Sequence, residues 1–229
     1  ATLGSSLKIR VKEKVAPVIS ITAPTADSYI TNATPTIKFT VTDADSGVNS
    51  GTIAMKLDGT AVTVTKTAIT GGYECSYKPT TALKDGSHTI SVTASDNDGN
   101  AASAKTATFT VDTVPPTLTI TAPAEGLVTN KTTITVTGKT DDATSKPVTV
   151  TVNGAAATVG TDGFFSKDVT LTNGANKITI IAKDKAGKTT TITRNVTLDT
   201  AAPVIKSITL TPNPVDCGKT FVIAVEITD

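Results

Sequence analysis

Few residues in this 229-residue chain could do chemistry. There is one histidine, His88, just after the Asp85-Gly86 turn. With no second histidine and no serine elbow, neither a nucleophilic triad nor a zinc centre has its parts. His88 therefore reads as a turn-edge residue. Gly71-Gly72 reads as a turn, since no Lys-Ser/Thr pair and helix follow it as a phosphate loop requires. Cys75 and Cys217 fall in different repeats of the organisation described below, so each is expected to stay unpaired. The aspartates remain. Asp43 and Asp45, Asp96 and Asp98, and then Asp112, Asp141, Asp142 and Asp184 sit in turn-like or linker-like segments. Their carboxylates are hard oxygen donors, the kind Ca²⁺ gathers in sets of about six to eight. Asp is also an ordinary turn former, so the elements that carry these residues decide between the two readings.

Composition narrows those elements. Hydrophobic residues make up 38% of the chain and aromatics 3%, with no Trp. A core must then be assembled from Val, Ile, Leu, Ala and Thr methyls, and β-branched residues suit a pleated, half-buried surface. The net charge is +1 with both signs interspersed, which excludes the basic stripe of a nucleic-acid binder. No apolar run reaches membrane-spanning length, so membrane insertion by a helix is not expected. Ala1 to Ser6 are small and polar, unlike an apolar signal core.

The chain repeats itself. Ala16-Pro17-Val18-Ile19-Ser20-Ile21-Thr22 returns as Pro115-Pro116-Thr117-Leu118-Thr119-Ile120-Thr121 and as Ala202-Pro203-Val204-Ile205-Lys206-Ser207-Ile208-Thr209. Pro17, Pro116 and Pro203 are spaced 99 and then 87 residues apart, each about one sandwich domain. An alternating strand precedes each match: Leu7–Val11, Ala107–Val111 and Asn195–Leu198. Proline at the junction fixes φ and offers no ladder donor, so the linkers are expected to be stiff.

Strands follow from period-two alternation. In the first repeat they are Thr36–Thr42, with Ile37, Phe39 and Val41 on one face, then Ile53–Leu57, Ala61–Thr65, Tyr73–Tyr77, His88–Ala94 and Thr106–Val111. Asp58-Gly59 is a hairpin signal. The second repeat offers Thr133–Thr137, Val148–Val152, Phe164–Leu171, Lys177–Ala182 and a strand to Leu198, with Asn153-Gly154 as its hairpin turn. No window shows helical periodicity. The expectation is an all-β chain of tandem β-sandwiches. It comprises an N-terminal strand and linker at 1–15, a first domain at 16–112, a second at 113–200, and a partial third or strand-pairing segment at 201–229.

The junctions Val111-Asp112-Thr113-Val114-Pro115-Pro116 and Leu198-Asp199-Thr200-Ala201-Ala202-Pro203 resemble those of bacterial and phage immunoglobulin-like repeat proteins. So do Val92-Thr93-Ala94-Ser95-Asp96-Asn97-Asp98-Gly99-Asn100 and Ile180-Ile181-Ala182-Lys183-Asp184-Lys185-Ala186-Gly187. The resemblance implies two complete immunoglobulin-like sandwiches and part of a third. Its repeats occur in surface adhesins, in appendages of secreted carbohydrate-active enzymes and on virions of tailed phages.

In such a sandwich the loop after the second strand lies beside the loop between the last two strands. Asp43 and Asp45 are then expected near Asp96 and Asp98. Asp141, Asp142 and Asp184 are expected to converge likewise, with linker residue Asp112 close by. Both clusters are calcium candidates, the first more than the second. No other cofactor is expected.

The terminal segments are the remaining oddity. Residues 7–11 read as a last strand with no domain before it. Residues 204–227 read as a first strand, a Pro212-Asn213-Pro214 turn and the strand Phe221–Ile227. Either the chain is cut from a longer array, or these segments pair with protein subunits of an assembly by strand addition. The expected function is non-enzymatic and extracellular: a structural or adhesive module on a bacterial cell surface, virion or phage tail, binding a glycan or protein weakly. The alternative is a pure spacer or an accessory module of a larger extracellular enzyme. Only Tyr29, Tyr73 and Tyr77 are tyrosines, which makes a sugar-stacking platform meagre.

Overall fold

The structure is a computed structural model, and it describes residues 11–211, 217, 218, 220 and 222–228. Among these, the regular elements are β-strands apart from one 3₁₀ turn at Ser50–Thr52. Two compact units emerge from proximity. One runs up to Thr117 and takes in Thr140–Thr149 and Ala182–Thr190; the other takes Leu118–Lys139, Val150–Ile181 and the described residues from Thr191 on.

The first sandwich contains β1 (Val18–Ala23), β2 (Ser28–Ile30), β3 (Ile37–Thr42), β4 (Ala54–Leu57), β5 (Thr60–Val62), β6 (Thr65–Ile69), β7 (Gly72–Tyr77), β8 (Gly86–Thr93) and β9 (Lys105–Val111). One sheet has the order β1-β3-β7-β6 and the other β2-β9-β8-β4-β5. Alternation on β3 buries Ile37, Phe39 and Val41 as expected, among Met55, Ile90, Val92, Phe109 and Val111. Each such side chain contributes roughly 1.5–3 kcal/mol by leaving water.

The expected strand Ala61–Thr65 is instead two strands. β5 closes the Asp58-Gly59 hairpin with β4, and β6 pairs with β7 in the opposite sheet. β2 was not expected. It runs parallel to β9 for three residues, Ser28 opposite Phe109 to Ile30 opposite Val111.

The second sandwich contains β10 (Thr117–Ala122), β11 (Leu127–Thr129), β12 (Thr133–Asp141), β13 (Thr149–Val152), β14 (Ala155–Val159), β15 (Phe164–Thr170), β16 (Gly174–Lys183) and β17 (Thr189–Leu198). β14 pairs with both β13 and β15, which joins the two layers into one hydrogen-bonded order, β10-β12-β15-β14-β13-β16-β17-β11. Val136, Val150, Phe165, Ile178, Ile180 and Val196 are buried. Asp58 and Asn153, with φ 52° and 49°, and Gly59 and Gly154, with φ 79° and 81°, form the left-handed pairs these two-residue hairpins demand.

β18 (Val204–Thr211) and β19 (Val222–Thr228) pair with each other, antiparallel. Val204 faces Thr228 and Ile205 faces Ile227, just as Val18 faces Thr42 and Ile19 faces Val41 in the β1–β3 ladder. Ile205, Ile208, Leu210, Ile223, Val225 and Ile227 therefore share one face, and each is 44–58% exposed. Of the expected strand Leu7–Val11, only Val11 is among the described residues, and it is not in a strand; the Pro212–Pro214 turn and Phe221 lie outside them.

Candidate metal centre

Each of two carboxylate groups gathers three acids from separate segments of the chain. Glu13, Asp43 and Asp96 form one, and Asp112, Asp142 and Asp184 the other; in each, one oxygen per residue lies within 4.8 Å of the others. The geometry follows from the sandwich. Glu13 precedes β1, Asp43 follows β3 and Asp96 follows β8. Asp112 precedes β10, Asp142 follows β12 and Asp184 follows β16, the same three places in the second repeat.

Local hydrogen bonds explain why these loops carry aspartate. Asp43 Oδ1 accepts from the N–H groups of Asp45 (3.2 Å) and Gly47 (2.7 Å). Asp142 Oδ1 accepts from those of Thr144 (2.8 Å) and Ser145 (2.6 Å). Asp96 Oδ1 accepts from Asp98 N–H (2.9 Å) and Asn100 N–H (2.7 Å), and Asp184 Oδ1 from Lys188 N–H (2.8 Å). These are Asx-type turns.

The expected residues divide. Asp43 and Asp96 come together, and so do Asp112, Asp142 and Asp184. Asp45 is exposed and contributes its backbone N–H to Asp43. Asp98 Oδ2 accepts from Glu13 N–H at 3.1 Å and so tethers the linker. Asp141 ends β12 and pairs with Lys146 at 2.8 Å on the surface. Glu13 was not anticipated; its Oε1 accepts from Ser46 N–H at 2.7 Å.

The two groups differ electrostatically. Burial works to raise the Asp96 carboxyl, yet the Asn100 side-chain amide and the N–H groups of Asn100, Asp98 and Gly99 outweigh it and hold it below the ordinary carboxylate range. Asp112 moves the other way. Burial pushes it up, the Val114 N–H offsets part of that, and repulsion from Asp142, Asp184 and Asp85 adds to the rise. Asp112 Oδ2 and Asp184 Oδ2 are buried with no hydrogen-bond partner, as are Glu13 Oε2, Ser46 Oγ and Ser145 Oγ. Chemically, the arrangement can hold a hard cation. It offers no nucleophile activated by a base.

Of the remaining reactive residues, His88 and Cys75 are buried and Cys217 is exposed. His88 lies between Asp58 and the Lys84 carbonyl. Cys75 is buried, which raises its thiol pKa, and both Cys75 and Cys217 are free thiols. One exposed aromatic was overlooked in the alternation: Phe164, with the Lys139 ammonium 4.9 Å from its ring centre, lines an open groove with Thr121, Thr137 and Ser166.

Residues 17–113 match the family described as bacterial Ig-like domain, and residues 116–200 match glucodextranase, domain B. The chain is similar to bacillopeptidase F of Bacillus subtilis (strain 168), at 34% identity over 194 residues. That span is 84% of this chain and 13% of that protein. Among solved structures, it resembles the fibronectin(III)-like modules of Clostridium thermocellum CbhA, with 18% identity and a TM-score of 0.48 over 80% of this chain and 94% of that one. A three-domain titin fragment gives 10% identity and a TM-score of 0.49, over 84% of this chain and 68% of that one.

Proposed function

The chain is a bacterial immunoglobulin-like tandem repeat protein, and from that premise we propose that it serves as a non-catalytic accessory module of a larger extracellular protein. What supports this reading most is the relation to bacillopeptidase F, of which the matched span is 13%. The second repeat matches a domain that is likewise named after an enzyme, glucodextranase. In this reading the sandwiches act as spacers beside a catalytic part carried elsewhere. Their aliphatic cores and short hairpins suit that mechanical role.

Display on a bacterial surface, virion or phage tail is the second reading, with weak binding to a glycan or protein. One observation favours it: the exposed Phe164 and the open groove beside it. In the accessory reading, β18–β19, which share the register of β1–β3, suit the first two strands of a third sandwich; in the display reading, their exposed aliphatic face suits burial against another subunit, beside the strand pairing expected of residues 204–227.

Affinity electrophoresis against soluble α-glucans, with pull-down on washed bacterial envelopes, separates the two. The accessory reading expects no saturable retention. Saturable retention that is lost in Phe164→Ala would overturn it in favour of display.

A further inference from the structure

We propose that Asp112, Asp142 and Asp184 bind a calcium ion. Turn formation accounts for only part of these side chains. Asp112 Oδ1 accepts from Val114 N–H at 3.1 Å and Asp184 Oδ1 from Lys188 N–H at 2.8 Å, while the Oδ2 atom of each is buried without a partner. Asp112 is 0% exposed, Asp142 6% and Asp184 5%. Ser145, whose N–H holds Asp142, is itself 0% exposed and keeps a hydroxyl with no partner. A turn-forming aspartate has no need to bury its second oxygen.

Charge makes the same point. Among the described residues no Lys or Arg forms an ion pair with these three carboxylates; the nearby Lys146 pairs with Asp141. Buried carboxylates without a counter-charge are costly, and a bound cation removes the cost. In the other acid group Glu13 Oε2 and Ser46 Oγ are also buried without a partner, but its Asp96 is satisfied. There the Asn100 amide donates to Asp96 Oδ2 at 2.6 Å, whereas the bond from Lys188, in the corresponding turn position, comes from its backbone N–H.

All donors are hard oxygens. Ca²⁺–oxygen distances of about 2.3–2.6 Å place ligands on opposite sides of the ion at about 5 Å, and no two donor atoms here exceed 4.8 Å. Mg²⁺ keeps several waters and favours one or two carboxylates, so three buried carboxylates suit Ca²⁺ better. An open pocket lined by Asp85, Asp112, Asp141, Asp142 and Thr144 provides the entry path.

The test is calorimetric titration of the metal-stripped chain with CaCl₂ and with MgCl₂, alongside thermal melts. Expected is a saturable Ca²⁺ step in the range of extracellular calcium modules, about 10⁻⁴–10⁻³ M, with a higher melting temperature and weaker Mg²⁺ binding. Asp184→Asn and Asp112→Asn should each weaken that step at least about tenfold while keeping the β-sheet circular dichroism spectrum. Asp141→Asn and Asp43→Asn should leave it in place. No saturable Ca²⁺ binding up to about 10 mM overturns the assignment. So does a step that survives both Asp184→Asn and Asp112→Asn, or one lost in Asp43→Asn.

Discussion

His88 Nδ1 lies 2.7 Å from Asp58 Oδ2, and the other ring nitrogen, Nε2, lies 2.8 Å from the Lys84 carbonyl oxygen. Both neighbours are acceptors, so the imidazolium is the form that satisfies both. The chain's one histidine thus fastens the Asp58-Gly59 turn to β8. Asp58 Oδ1 also accepts from Thr89 N–H at 2.8 Å. The second sandwich repeats this contact without a histidine, with Asn153 Oδ1 accepting from Thr179 N–H at 2.8 Å.

A pH dependence follows. Burial opposes the charge on His88, but the hydrogen bonds to Asp58 and Lys84 and the Asp58 charge outweigh it, and the pKa is raised. The folded state therefore holds this proton more tightly than the unfolded chain does. Its contribution to stability is fully present below the ordinary histidine pKa of about 6.5 and is lost as pH rises through the folded value. Urea midpoints should fall across that window. Asp58→Asn keeps the contact to Thr89 but removes the charge, so NMR titration of His88 should show its pKa lowered and the midpoint should change less with pH.

Phe39 is one of the two fully buried phenylalanines of the first core, 0% exposed. Phe39→Ala should cost about 3–5 kcal/mol in denaturant unfolding of that sandwich. Phe164→Ala, at a residue 54% exposed, should cost less than about 1 kcal/mol.

Gly138 in β12 is required by space. A Cβ there would meet the Thr119 carbonyl oxygen and the Phe165 ring. Gly138→Ala should destabilise the second sandwich by roughly 1–3 kcal/mol, read from its urea midpoint.

The β18–β19 face predicts association. Ile205 and Ile227 face each other on it, and their counterparts Ile19 and Val41 are buried. Light scattering should show the chain self-associating as concentration rises, and Ile205→Thr with Ile227→Thr should suppress this. Equal scattering from both proteins would count against burial of this face between copies of the chain.

Much of the fold was legible because period-two alternation marks any strand with one buried face. Ile37, Phe39 and Val41 are the plainest case, and the Asp-Gly and Asn-Gly pairs marked the hairpins. β2 and β11 were not legible: three residues carry no alternation, and parallel pairing to β9 and β17 is a tertiary matter. In the acid groups, turn chemistry made Asp43, Asp96, Asp142 and Asp184 visible. It could not separate Asp141 from Asp142, neighbours that point to Lys146 and to the carboxylate group respectively. Glu13 escaped notice because its place depends on the linker tethered through Asp98.

The most direct test of the non-catalytic reading is a turnover measurement on the purified chain with peptide and α-glucan substrates. No hydrolysis above buffer is expected, with His88→Gln indistinguishable from the parent. Hydrolysis by the chain that disappears in His88→Gln would contradict that reading.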